Sequence, residues 1–181
     1  MLRFKHPLLF CCLLLLAFAR AHAAEPDREI INTLNDCLTT VISLDKFTPP
    51  QASRIYAYAN VAAYEAVSGF YPQKYQSLDG QLNGLKNIPR MDKPQELHLP
   101  TVLARTFLKV SGHLIYSEET LRVQCEQRLA AHLKGATDAQ RKSSEAYALR
   151  LAQHIIEWSN GDGYAQRKRF PRYLEKKDRP D

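Results

Sequence analysis

The sequence predicts an all-α fold, a helical bundle of about five amphipathic helices after a signal peptide, and three observations carry that expectation. Apolar residues recur at helical spacing through most of the chain. Prolines and Thr-x-x-Gln pairs mark where the apolar runs begin, and glycines mark where they stop. No stretch alternates apolar and polar residues for long enough to make a useful strand. The 181 residues are 45% apolar and 24% charged, an ordinary globular balance that suits one domain.

The first segment has the three parts of a secretory signal. Arg3 and Lys5 supply the positive start, and Leu8 to Ala19 form an apolar run. Ala21-His22-Ala23 offers the small residues that a signal peptidase reads. Residues 1–23 are therefore expected to be removed, leaving a secreted or periplasmic protein. The apolar run falls short of the roughly 20 residues that cross a bilayer, and no later stretch approaches that length, so no stable membrane insertion is expected after cleavage. Phe10 before Cys11 is too large for a lipoprotein cleavage site.

Five helices follow in order. Pro26 suits a first helical position, with Ile30, Leu34, Leu38, Val41 and Ile42 on one face. Thr48, Pro49, Pro50 and Gln51 open a second helix with a cap, two tolerated prolines and a capping-box glutamine. It runs through Ile55, Ala59, Ala62, Ala63 and Ala66 to Gly69, and its small residues mark it as a central helix. Residues 70–98 lack periodicity and carry Gly80, Gly84, Pro89 and Pro94, the composition of a long loop with one helical turn. Pro100 opens a third helix with Leu99, Leu103, Phe107, Val110 and Leu114 in a stripe. Ser117 is placed to cap a fourth, whose face is Leu121, Cys125, Leu129 and Leu133 and whose stop is Gly135. Thr137 with Gln140 begins a fifth, lined by Tyr147, Leu151, Ile155 and Trp158, and Asn160-Gly161-Asp162-Gly163 turns the chain out of it.

The formal charge is +6. Without Arg3, Lys5 and Arg20 the balance is 22 basic residues to 19 acidic, too weak and dispersed for a nucleic-acid partner. The local excess at Arg167, Lys168, Arg169, Arg172, Lys176, Lys177 and Arg179 belongs to a basic tail or linker over residues 166–181. Cys37 and Cys125 both fall on apolar faces, where a disulfide or two buried thiols are equally open.

Each candidate for chemistry meets an objection. Ser111-Gly112-His113 has the residue types that hold or attack a phosphoryl group. At about 100° per residue, however, Ser111 and His113 stand roughly 200° apart around the helix axis, and Gly112 falls on the solvent side. His98, His113, His132 and His154 include no i,i+4 pair of the kind that binds zinc. Asn160 to Gly163 lacks the closing glutamate of a calcium loop, because Pro171 occupies that position. Neither Glu65 with Glu96 nor Glu157 with Asp162 forms a defensible acid–base pair. No catalytic, cofactor-binding or metal residue is assigned.

The segment Thr48-Pro-Pro-Gln-Ala-Ser-Arg-Ile-Tyr-Ala-Tyr-Ala-Asn-Val-Ala-Ala-Tyr-Glu-Ala-Val67 resembles the early helix of bacterial vanadium-dependent haloperoxidase-like proteins, in the type 2 phosphatidic acid phosphatase superfamily. Trp158 to Tyr164 is similar to the Trp and Asp-Gly-Tyr that close a later helix there, and Phe170-Pro171-Arg172-Tyr173 to an aromatic–proline stretch. The resemblance implies an all-helical fold and a pocket for vanadate or phosphate. The family builds that pocket from Lys-x6-Arg-Pro, then Pro-Ser-Gly-His, then Ser-Arg and a final His.

None of those residues carries over. Val110 rather than proline precedes Ser111, Arg179-Pro180 comes after the Ser-Gly-His instead of before it, Arg172 stands where the lysine should, and no histidine follows His154. Residues 24–165 are thus expected to be the N-terminal helical domain of such an enzyme, inactive alone and with an apolar face left exposed. Vanadate or phosphate would be the cofactor only of a full-length relative. The expected partner is the missing C-terminal catalytic half or a second copy of the chain. The alternative is a small secreted helical protein that binds a partner without catalysis.

Overall fold

A computed structural model describes residues 26–169; the expected signal peptide and the part of the expected basic tail beyond Arg169 lie outside the described residues. Five α-helices and two 3-10 turns make up the body, with no strand among the described residues. The helices are α1 (Pro26–Leu44), α2 (Pro49–Phe70), α3 (Leu99–Leu114), α4 (Glu118–Leu129) and α5 (Asp138–Asn160); the 3-10 turns are Pro94–Glu96 and Tyr164–Arg169. The expected all-helical bundle is present.

The helix starts follow from local chemistry. At α5, Gln140 N–H donates to Thr137 Oγ1 while the Thr137 amide donates to Gln140 Oε1, both at 3.1 Å. This reciprocal box satisfies two amides that a helix start leaves open. At α2 the Thr48 amide donates to Gln51 Oε1 at 3.0 Å, and the same glutamine sends its Nε2 to the Tyr164 hydroxyl at 2.8 Å. Ser117 departs from its expected capping role. Its hydroxyl makes no cap bond and donates instead to Asp45 Oδ1 at 2.6 Å. The other oxygen of Asp45 accepts the Tyr116 and Ser117 amides, which ties the end of α1 to the α3–α4 link.

The core is one cluster drawn from every helix. Ile30, Leu34, Leu38 and Val41 of α1 meet Phe107, Leu103 and Val110 of α3, Leu121 and Leu129 of α4, and Leu151 and Ile155 of α5, all essentially excluded from solvent. The helix at the centre is α3, which packs on all four others. The expectation that α2 is central is corrected on that point: α2 is a close neighbour of α3 through Ala59, Ala62, Ala63 and Ala66, but one of its sides faces the long loop. Helix α4 ends at Leu129, before the expected stop at Gly135. Leu133 still packs against the core from the turn that follows, and Gly135 takes a left-handed φ of 98° that favours glycine.

The loop from Tyr71 to Lys93 lacks regular structure but is pinned. Leu85 and Ile88 are buried in the core. Four side chains on the helices hold its backbone: Tyr64 O–H donates to Gln76 O, Trp158 Nε1–H to Asn83 O and Tyr147 O–H to Pro89 O, while Glu65 accepts the Leu78 amide.

Candidate functional site

The two segments that carry the family resemblance meet in space. Arg54, on the first turns of α2, sends Nε to Asp162 Oδ2 at 2.6 Å and Nη2 to the Ser159 carbonyl at 2.9 Å. Its guanidinium lies over the rings of Tyr58 and Tyr164, with 5.0 and 4.4 Å from Cζ to the centroids. Tyr58 O–H donates to Asp162 Oδ2 at 3.0 Å, and its ring meets the Trp158 indole edge-on at 4.8 Å. The Tyr164 amide donates to Asp162 Oδ1 at 2.8 Å. Thus Asp162 is the acceptor around which the start of α2 is tied to the end of α5.

The electrostatics are those of a closed pair. Burial alone would raise the Asp162 carboxyl, but the Arg54 hydrogen bond, the Tyr164 amide, the Arg54 charge and Tyr58 outweigh it and hold the group below the usual carboxylate range. Burial, with Asp162 accepting its proton, pushes the Tyr58 hydroxyl up to about 12. Both arms of the cluster are therefore fixed in one protonation state near neutrality. A group committed in this way positions helices and offers no proton for exchange.

A second polar cluster holds the loop. Glu65, only 3% exposed, accepts the Leu78 amide at 2.6 Å, the Ser77 hydroxyl at 2.8 Å and the Ser68 hydroxyl at 3.5 Å. Beside it lies a cavity of about 430 Å³ lined by Glu65, Gly69, Tyr75, Asp79, Arg90, Met91 and Tyr147 among others. Burial, then the Glu65 charge, pushes the Tyr147 hydroxyl up to about 12. Sequence reasoning did not find the role of Glu65. Its signal was the single carboxylate of α2, set beside the alanines of its buried face, a position that demands partners.

Ser111, Gly112 and His113 do not converge. Ser111 is fully buried and its hydroxyl donates to the Phe107 carbonyl at 2.6 Å. His113 is exposed, with Nε2 3.2 Å from Asn160 Oδ1. Gly112 corrects its expected place on the solvent side. It is buried, and a Cβ there would stand 2.8 Å from the Glu118 side chain. The first turn of α4 folds back over that face of α3, and the helical wheel of α3 alone does not contain this covering.

The remaining sequence candidates also separate. His98 precedes α3 and holds Nδ1 2.9 Å from Thr101 Oγ1, while His132 faces Glu29 at 3.6 Å. Glu96 pairs with Lys93 in solvent, and Glu157 accepts from Gln153 on the exposed side of α5. Among the described residues, no three His, Cys, Asp or Glu side chains converge as metal ligands.

A tetrahedral oxyanion needs several convergent cationic and amide donors in a dry pocket, and no such set converges among the described residues. Arg54 is taken by Asp162, Arg105 by Glu126 and Glu145, Arg122 by Glu119 and Glu126, and Arg128 by Asp36. The cavity beside Glu65 sets one arginine, Arg90, against the carboxyl groups of Glu65 and Asp79, which is no convergent cationic cage.

This all-helical body, with its motif residues knotting α2 to α5, is similar in fold and sequence to part of a vanadium haloperoxidase-like protein. It is similar to the crystal structure of a bacterial vanadium-dependent iodoperoxidase, at 38% identity and a TM-score of 0.69 over 79% of this chain. The chain spans 34% of that protein's length. No family model matches the chain, and no curated protein does.

Proposed function

We propose that this chain is a scaffold part of a secreted vanadium haloperoxidase-like or phosphatase-like protein, and that it turns over no substrate by itself. One observation carries the reading: the motif residues that mark the resemblance are spent on helix packing, and Arg54, Arg105 and Arg122 are all paired with carboxylates. In a larger protein these helices would wall the pocket whose anion-binding donors come from other residues. Secretion rests on the charged start, the apolar run and Ala21-His22-Ala23; no described helix is long and apolar enough to cross a membrane.

The test uses purified protein with vanadate. Bromide and iodide oxidation by peroxide, hydrolysis of p-nitrophenyl phosphate and vanadate binding by calorimetry should all stay at the blank. Saturable vanadate binding, abolished by changing a named residue of this chain, would end the proposal.

A second reading, a self-sufficient small helical protein that binds a partner without catalysis, is favoured by how few large apolar side chains are exposed. Among the described residues only Leu44, Tyr71, Tyr116, Val123 and Leu149 are large exposed apolar side chains, few for the bare face that the scaffold reading expects. A monodisperse monomer without binding of a hydrophobic dye favours this second reading, whereas self-association favours the first.

A further inference from the structure

The scaffold reading leaves one space without a role, the cavity of about 430 Å³ between α2, α5 and the pinned loop. A space of that size falls in the range of small-molecule sites. Its helical side is built from buried polar groups: Glu65 and Tyr147 are each 3% exposed and Ser68 is 4%. The loop side brings apolar surface from Ile88, Pro89, Met91 and the Tyr75 ring, and two charged groups, Asp79 and Arg90.

The charges are arranged with capacity to spare. Glu65 accepts from the Leu78 amide, the Ser77 hydroxyl and, at a long 3.5 Å, the Ser68 hydroxyl. A carboxylate offers about four acceptor positions, so Glu65 can take a further donor. Asp79 is engaged through Oδ1, which accepts the Asn87 amide at 2.8 Å. All four of these donors are neutral. Arg90 is exposed, and its guanidinium enters none of the ion pairs that occupy Arg54, Arg105, Arg122 and Arg128.

A ligand of one sign is opposed here. A bare anion meets two carboxylates, and a bare cation meets the guanidinium. A molecule that carries both charges satisfies the whole set, because an ammonium group supplies donors to the carboxylates while its own carboxylate takes the planar fork of the arginine. We propose that this cavity binds a free α-amino acid with a large apolar side chain. Its ammonium lies on Glu65 and Asp79, its carboxylate on Arg90, and its side chain against Ile88, Met91 and Tyr75. The site goes beyond the scaffold reading and uses no residue of the Arg54–Asp162 cluster.

The test titrates the full chain with L-phenylalanine, phenethylamine and hydrocinnamate, followed by ligand-observed NMR into the millimolar range and by thermal shift. Phenylalanine should bind saturably and raise the Tm. The amine lacks the carboxylate and the acid lacks the ammonium, so each should bind roughly tenfold more weakly or worse, the effect of one lost charge-assisted contact. Arg90→Gln should weaken phenylalanine by a similar factor and leave phenethylamine no weaker. Asp79→Asn should also weaken phenylalanine while sparing hydrocinnamate. Absence of saturable phenylalanine binding, equal binding of all three compounds, or an Arg90→Gln variant that holds phenylalanine as tightly as the unaltered chain would overturn the proposal. The comparison of the three compounds on the unaltered chain stands even if a variant fails to fold, and its outcome is independent of vanadate binding.

Discussion

Asp162 is the residue on which most of the inter-helix polar order depends, since one carboxylate serves Arg54, Tyr58 and the Tyr164 amide. Its pair with Arg54 is shielded on both sides, at 17% and 24% side-chain exposure. Removing one partner therefore strands the other in a poorly solvated place. Asp162→Ala should cost about 2–3 kcal/mol in urea unfolding, above the roughly 0–1 kcal/mol of a surface pair such as Lys93–Glu96; equal losses for Asp162→Ala and Glu96→Ala would refute this. The pH dependence has a definite sign. Asp162 and Asp45 both have carboxyls lowered in the fold from 3.8, so their stabilisation is present above that value and disappears as pH falls below it. Tyr58 and Tyr147 are raised to about 12 from 10.0, so theirs is full below pH 10 and lost as pH climbs toward 12. Asp162→Asn should flatten the acid limb of the stability profile and Tyr147→Phe the alkaline limb.

At the scale of elements, the starts of helices are the most local feature and the most legible. Both Thr-x-x-Gln signals predict the helices that are found, because a cap is decided within four residues. Thr137→Ala should destabilise by about 1 kcal/mol, whereas Ser117→Ala should act through Asp45 and the α1 end, not through α4 helicity. Measuring both by urea unfolding, with an Asp45→Ala background, separates the two roles: Ser117→Ala should lose its effect there and Thr137→Ala should keep it. Helix ends and packing faces were less legible. Helix α4 stops at Leu129 although its apolar spacing continues to Leu133, since a turn can deliver a leucine to the core as well as a helix can. Gly112 seemed exposed on a wheel of α3 alone, but Glu118 of the next helix covers it. Gly112→Ala should consequently cost about 1–3 kcal/mol through overpacking; a neutral result would show that Glu118 yields freely.

For the whole molecule, α3 is the common partner of every other helix, and Phe107 is the largest side chain fully enclosed by them. Phe107→Ala should lower stability by about 3–5 kcal/mol. It should also shift a single cooperative transition, without splitting it, because one continuous core serves all five helices. Two transitions in circular dichroism or calorimetry would show that the body has separable parts.

The sequence by itself determined the helical class, the number of helices, the two capped starts and the likeness to a haloperoxidase-like protein. All of these rest on patterns that close within a turn or a short motif, where backbone sterics and capping act. Only the tertiary structure decided that α3 and not α2 is central, that Arg54 and Asp162 are partners across 108 residues of chain, and that Glu65 anchors the loop. It also set Arg128 against Cys37 across 91 residues of chain. Periodicity says which face of a helix is apolar, but not which other helix will cover it. That choice is made by all the faces at once, through burial and the pairing of polar groups that burial would otherwise leave unsatisfied.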